Sequence, residues 1–135
     1  MAKQNGLGWT TLSVADASAV ARDIRNDITN LQFATPRGVQ DVTGIDKSAY
    51  ERILLLADFS ITLNIVADFA TNLVHDVFKT VPSTSVARAT VIGVGGKSLT
   101  NNVLYTDYPL QRSNSGELTA AVPGVLADGA VPTWS

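Results

Sequence analysis

The sequence predicts a mainly β protein with one helix, and three observations indicate this fold class. The odd positions of 59–65 are apolar and the even positions of 58–64 are polar, which is the period of a strand with one buried face. Gly95-Gly96 separates two stretches rich in strand-forming residues, as in a two-residue hairpin. Only residues 69–81 repeat apolar side chains at the four-residue spacing of an amphipathic helix.

Length and composition exclude several classes of protein. The chain has 135 residues, 45% hydrophobic and 16% charged, with a net charge of −2, so we expect one folded domain, residues 1–135. The ten basic residues are scattered, which argues against a nucleic-acid-binding protein. With no cysteine, disulfides and thiolate metal sites are excluded. The low charged fraction suggests that neighbouring molecules cover part of the surface.

Six or seven strands are predicted along the chain. The segment 51–66 is the most informative, because its character changes near Asp58. Upstream, Ile53 to Leu56 is apolar on both faces and is predicted to be buried on two sides, whereas the alternating half downstream has one face in water. The other strands are predicted at Trp9–Ala15, Ile28–Ala34, Val86–Val94, Lys97–Tyr105 and Glu117–Val122.

The predicted helix, about residues 69–81, has recognisable ends. Asp68 is a candidate N-cap and Pro82 stops the helix, while Asp76 and Lys79 form an i,i+3 pair on its outer face. In contrast, residues 35–49 contain one proline and two glycines and show no period. This segment is predicted to be a loop, and its length indicates a functional one.

A search for catalytic and binding residues nominates none. The single histidine, His75, has no dyad partner, and no carboxylate cluster has metal-ligand spacing. Gly96-Lys97-Ser98 ends like a phosphate-binding loop, but Val91 stands where that loop needs glycine. No signal peptide is recognisable, and the longest apolar stretch is interrupted by polar residues. We therefore expect a soluble, intracellular non-enzyme without metal, cofactor or membrane contact.

Seven stretches in this order resemble the major tail (tail tube) proteins of long-tailed bacteriophages, especially those that infect actinobacteria. The resemblance extends from about Trp9 to the C-terminus and depends on order and spacing, not on a single diagnostic motif. The stretches that carry it are Pro36–Gly44, Tyr50–Arg52, Leu54–Asn64, His75–Thr80, Tyr105–Tyr108, Ser115–Thr119 and Val131–Trp134.

The resemblance implies a structural virion protein. Members of that family are small β-sandwiches or barrels with one flanking helix that assemble into hexameric rings. The rings stack, strands of six subunits close into an inner barrel, and a long loop and the termini bridge successive rings. It implies a location in the virion tail after synthesis in the host cytoplasm. It also implies self-association, contacts with other tail proteins, and double-stranded DNA that passes through the lumen without specific binding.

On this resemblance, residues 35–52 are the expected stacking loop, and the strand at 58–65 is the expected lumen wall. Charged residues of the loop are candidate inter-ring pairs, namely Arg37, Asp41, Asp46 and Arg52. Asp58, Thr62 and Asn64 are candidates for a lumen surface, because a polar wall without basic clusters does not trap phosphates. The same alternation also fits an ordinary solvent-facing strand. The alternative function is a monomeric β-sandwich module that binds carbohydrate or a receptor at a tail tip.

Overall fold

The computed structural model describes residues 3–135 and confirms a mainly β fold with one α-helix, α1 (Val74–Phe78). Short 3-10 turns at Arg25–Asp27 and Val81–Ser83 complete the helical content of this part of the chain. The strands are β1 (Thr11–Ala15), β2 (Ala21–Asp23), β3 (Ile28–Ala34), β4 (Arg37–Asp41), β5 (Arg52–Ala57), β6 (Ser60–Val66), β7 (Arg88–Val94), β8 (Lys97–Tyr105), β9 (Gln111–Arg112) and β10 (Leu118–Leu126).

Eight of these strands form one antiparallel sheet around a single hydrophobic core, here called the body. The strand order is β2-β1-β7-β8-β10-β6-β3, and β9 also pairs with β10. Alternate residues of the long strands point into the core, as the period of two predicts. This arrangement is consistent with a β-sandwich. Core residues from five strands include Leu12, Leu63, Ile92, Val103 and Val122.

The β7–β8 connection confirms the predicted two-residue hairpin. Gly95 and Gly96 have φ angles of 61° and 78°. Two successive positive φ angles define the type I′ turn, whose twist matches that of the flanking strands, and glycine adopts them without a steric cost.

Helix α1 is shorter than the predicted 69–81. Asn72 has a φ of 66°, so the backbone is left-handed there and the helix begins after it. The Asp68 carboxylate accepts the Ala70 N–H in a local turn instead of capping α1, whose first cap position is Leu73. The predicted Asp76–Lys79 pair is present at 3.3 Å. Local polar hydrogen bonds therefore replace helix in the segment before Val74.

Helix α1 is held on the body by apolar contacts and by one buried arginine. The Phe78 ring packs edge-on against Tyr105 in β8, with centroids 5.1 Å apart. The Arg88 guanidinium donates to the Val77 carbonyl and, over 2.8 Å, to the Thr80 hydroxyl. Arg88 is only 2% exposed, so these hydrogen bonds are buried. They satisfy carbonyl and hydroxyl groups that the end of α1 would otherwise leave without partners.

The remaining two strands, β4 and β5, form a separate two-stranded sheet, here called the arm (residues 37–57). Two expectations are corrected. Residues 37–41 are a strand and not part of a loop, and 51–66 is two strands instead of one. The break lies at Asp58, whose N–H donates to the Pro36 carbonyl and whose carboxylate accepts the Phe59 N–H. These bonds turn the chain from the arm into the body.

Candidate functional site

The arm exposes an unusual amount of apolar surface. Every residue of β4 and β5 is exposed except the half-buried Ala57, so the expected burial of 53–56 on both faces is wrong for the single chain. Leu54 is 58% exposed and Leu56 is 90% exposed. The other large apolar residues exposed on the arm are Val39, Val42, Ile45, Tyr50, Ile53 and Leu55. Contiguous apolar surface of this kind marks an interaction site.

Two of the predicted stacking residues form hydrogen bonds inside the arm. Arg37 Nε donates to the Leu55 carbonyl over 2.9 Å, across the β4–β5 ladder. The Asp41 carboxylate accepts the Thr43 hydroxyl at 2.6 Å and the Thr43 N–H at 2.9 Å, where β4 ends. These two bonds lower the pKa of Asp41 and hold the carboxylate in its charged form.

The other two predicted stacking residues also make local contacts. Asp46 lies 3.9 Å from Lys47, its neighbour in the chain, and both side chains are more than half exposed. The Arg52 guanidinium stacks over the Tyr50 ring at 4.7 Å from its centroid. All four charged residues therefore lie on the arm, as expected, but each one contacts another part of the same arm.

The sequence did not predict that Leu54 and Leu56 are exposed in the single chain. Their exposure depends on the absence of a second layer over β5, which the apolar run by itself does not reveal. One signal was available: the apolar run lies beside a 15-residue segment that shows no apolar period.

Two of the three predicted lumen residues, Thr62 and Asn64, lie together on the outer side of the body sheet, whereas Asp58 lies in the turn before β6. Thr62 is exposed and Asn64 is half-buried, both on the β6 face opposite the core. Across the ladders, Gln32 and Pro123 flank Thr62. We call the outward-facing positions of β3, β6 and β10 the outer face. Its residues are Asn30, Gln32, Ala34, Ser60, Thr62, Asn64, Val66, Thr119, Ala121, Pro123 and Val125.

The outer face carries no charged residue, because β3, β6 and β10 contain none. Acidic residues lie beyond one end of it: Asp58 precedes β6 and Asp128 follows β10, and these two strand ends are paired. Both acids are exposed. The Asp128 carboxylate accepts the Asn102 amide at 2.7 Å, which lowers the pKa of Asp128. The face is therefore neutral along its length, and Asp58 and Asp128 lie beyond one end of it.

Strand β3 is one edge of the body sheet and pairs only with β6 among the described residues. Beside this edge lies a cavity of about 440 Å³ whose lining includes Trp9, Arg25 and Leu31. Arg25 Nη1 donates to the carbonyls of Trp9 and Thr10, and so fixes the N-terminal segment along one wall. An unpaired edge next to a partly apolar groove can accept a further strand.

The residues that the sequence search considered for catalysis pack against neighbouring side chains or form part of a strand. His75 Nδ1 lies 3.2 Å from the Tyr108 hydroxyl, and its ring contacts Phe69 edge-on. Lys97 and Ser98 begin β8, directly after the hairpin turn. Within residues 3–135, the structure contains no group of three or more potential metal-ligating side chains. No helix in that range is both long and apolar enough to cross a membrane.

Known proteins resemble this chain in structure but not detectably in sequence. No family model matches it, and no curated protein matches it. A chain of the virion of a native gene transfer agent particle superposes with a TM-score of 0.68 at 16% identity, covering 98% of this chain and 99% of that one. A chain from the tail of an empty gene transfer agent particle, computed with helical refinement and C6 symmetry, gives 0.71 at 17% identity with the same coverage. The chain therefore shares a full-length fold with proteins of gene transfer agent particles.

Proposed function

We propose that this chain is a structural protein of a phage-like tail, the repeating subunit of a tail tube built from stacked sixfold rings. The observation that carries the proposal is the full-length similarity to a chain from a tail with C6 symmetry. The matched chains come from gene transfer agents, so the proposal covers phage-like tails in general and not actinobacterial phages in particular. The protein would act in the virion tail after synthesis in the host cytoplasm, beside other tail proteins, and would not be an enzyme.

The arm supports a role in stacking. A two-stranded hairpin is marginally stable alone, and this one exposes leucines on both faces, so a neighbouring subunit would cover apolar surface and stabilise it. A contact between two different surfaces of identical subunits propagates into a filament when no rotation closes it. In this proposal the leucines supply most of the stacking energy, and Arg37, Asp41, Asp46 and Arg52 shape the arm and its rim.

The outer face supports a role as the wall of the lumen. Affinity for DNA phosphates comes from lysine and arginine, and this face contains neither. Thr62 and Asn64 present short polar groups that water can hydrate, and Asp58 repels phosphates at one end. A channel lined in this way would let DNA slide without holding it.

The free edge of β3 supports a lateral contact within a ring. Pairing of this edge with a neighbouring subunit would satisfy its unpaired backbone groups and extend the sheet into a barrel shared between subunits. The alternative, a monomeric binding module at a tail tip, leaves the leucines of the arm in water. No observation on residues 3–135 favours that alternative.

Electron microscopy of the purified chain, or of particles that contain it, tests the proposal. We expect rings with sixfold symmetry and tubes of uniform bore. The double variant Leu54→Ser/Leu56→Ser should abolish tubes while leaving the melting temperature of the unassembled chain nearly unchanged, because both side chains are exposed there. The matched control is Val20→Ser/Val86→Ser, which removes two exposed apolar side chains outside the arm and the terminal segments.

Two outcomes would contradict these roles. Wild-type protein that stays monomeric under every condition would argue against a tube subunit. Normal tubes from the double arm variant, or equal loss of tubes in the control, would reject the arm as the stacking element.

Genome delivery tests the lumen assignment separately. Asp58→Lys or Thr62→Lys should slow DNA ejection, with a stronger effect at low salt, because the new cations bind phosphates. Ser83→Lys, an exposed position after α1, is the control and should leave the rate unchanged. An unaltered rate in both lumen variants would place the outer face elsewhere in the particle.

A further inference from the structure

Two aspartates meet where the β3–β6 ladder ends and α1 begins. Asp27 is the last residue before β3, and Asp68 lies two residues after β6. Because Ile28 pairs with Ile65, both aspartates lie at the same end of this ladder. Asp27 is only 5% exposed, and Asp68 is half-buried.

The surroundings of Asp27 are unfavourable for a carboxylate anion. Its Oδ2 is buried and has no hydrogen-bond partner among the described residues. The Asp68 side chain helps to raise the pKa of Asp27, whereas the Val74 N–H lowers it. Two ionised carboxylates repel each other, whereas a protonated carboxyl can donate to an ionised one.

Other charged groups nearby are occupied elsewhere. Arg25, on the same 3-10 turn as Asp27, binds Asp23 at 2.9 Å. On α1, Asp76 pairs with Lys79, and the His75 ring faces Tyr108. Asp68 is the charged side chain that raises the pKa of Asp27, after burial.

We propose that Asp27 and Asp68 share one proton, and that this proton fastens the connection 67–73 and the start of α1 to the end of the β3–β6 ladder. The Asp27 hydroxyl donates to an Asp68 carboxylate oxygen, while Asp68 keeps its bond from the Ala70 N–H. Loss of the proton leaves two adjacent negative charges, one of them buried. The junction is therefore a pH-sensitive lock that loosens as pH rises. This inference does not depend on the proposed tail function.

The direction of the pH effect follows from the same contacts. Burial, and then the Asp68 carboxyl, raise the pKa of Asp27 to about 6 from a usual value of 3.8. The stabilisation is therefore fully present below the unfolded-state pKa and is lost as pH rises through the folded-state pKa. Aspartates with a lowered pKa, such as Asp16 and Asp76, change stability at lower pH instead. The interval from pH 5 to 7.5 isolates the pair from them.

Thermal unfolding of the unassembled full chain between pH 5 and 7.5 tests the lock. The wild-type melting temperature should fall by about 5 °C or more across this range. Asp27→Asn should remove most of the fall, because its amide N–H donates to Asp68 at every pH. Asp46→Asn, an exposed acid on the arm, is the matched control and should keep the wild-type slope. His75→Gln is a second control, for the single histidine of the chain.

Hydrogen exchange supplies a local readout that a general stability change would not produce. The amides of 73–75 should lose protection at pH 7.5 relative to pH 5, after correction for the intrinsic rate, while those of β7 and β8 should not. Asp68→Asn places a permanent amide donor on residue 68 instead of residue 27. It should also flatten the dependence of the melting temperature on pH, and it replaces Asp27→Asn in the test if that variant fails to fold.

Three results would overturn the proposal. The first is a wild-type melting temperature independent of pH in this range. The second is an unchanged slope in both amide variants. The third is stabilisation of the wild type at pH 7.5 by millimolar Ca²⁺ that Asp27→Asn abolishes, because a cation and not a proton would then join the carboxylates.

Discussion

Two consecutive strands, β5 and β6, differ in how far their apolar side chains are buried. Strand β5 has an uninterrupted apolar run, Ile53 to Leu56, yet all four side chains are exposed. Strand β6 alternates apolar and polar residues, yet Ile61, Leu63 and Ile65 are at most 2% exposed. Only two residues separate the strands. The more hydrophobic strand, β5, is therefore the more solvent-exposed of the two.

The difference lies in what covers each strand. Strand β6 lies between β3 and β10 and contributes one face to a core that α1 and the opposite strands close. Among residues 3–135, strand β5 pairs only with β4, and all of its residues except the half-buried Ala57 are exposed. Burial within the chain is thus complete for the core of the body but not for the arm.

The most direct test of this contrast replaces one leucine in each strand and compares the free energies of unfolding. Leu63→Ala should lower the free energy of unfolding by about 3 kcal/mol, because it leaves a cavity in a core where Leu63 is fully buried. Leu56→Ala should change it by less than about 0.5 kcal/mol in the unassembled chain. Urea unfolding of both variants measures the difference. Similar losses would mean that the arm is buried within the single chain.

Two glycines, one in the body and one in the arm, provide a second comparison. At Gly124 in β10 a Cβ would lie 2.6 Å from Val103 Cγ1 and 3.0 Å from the Tyr105 ring, inside the core. Gly124→Ala should therefore cost about 2 kcal/mol through overpacking. At Gly38 in the arm a Cβ would meet the tip of Leu55 at 3.3 Å, and that exposed side chain can move. Gly38→Ala should be nearly neutral by the same unfolding measurement, and an equal loss would contradict the flexibility of the arm surface.

Acid stability provides a third test, with a smaller effect. Asp16 accepts the N–H groups of Ser18 and Val20 and an Arg22 ion pair at 3.1 Å, and the Val20 bond contributes most to lowering its pKa. Its contribution is present above the unfolded pKa and is lost as pH falls through the folded one. Asp16→Asn should cost about 1 kcal/mol at pH 7 and less at pH 2.5. An equal cost at both pH values would remove the electrostatic explanation.

The smallest expected effect is on the arm. Asp46 and Lys47 are 77% and 51% exposed and lie 3.9 Å apart, so Asp46→Asn should shift the melting temperature of the unassembled chain by less than about 2 °C. A larger shift by differential scanning calorimetry would show that this pair stabilises the arm without a neighbour.

The sequence predicted the body better than the arm and the helix. Strands 28–34 and 97–105 and the glycine hairpin were predicted correctly, because alternation and turn chemistry are local signals. The strand 37–41 was missed because its residues show no alternation between buried and exposed. The helix was predicted too long because its apolar spacing extends through 69–73, where Asn72 and Asp68 favour other hydrogen bonds.

For the candidate site, the sequence alone determined which residues are polar, apolar or charged along each strand. It therefore determined the neutral character of the outer face and the abundance of leucine in β5. The tertiary structure decided which of those residues are exposed, that Asp27 and Asp68 lie at the same end of the β3–β6 ladder, and that β4 and β5 form a sheet of their own. Side-chain period is a property of a single strand, whereas burial depends on which distant segments pack against it, and those contacts form only when the whole chain folds.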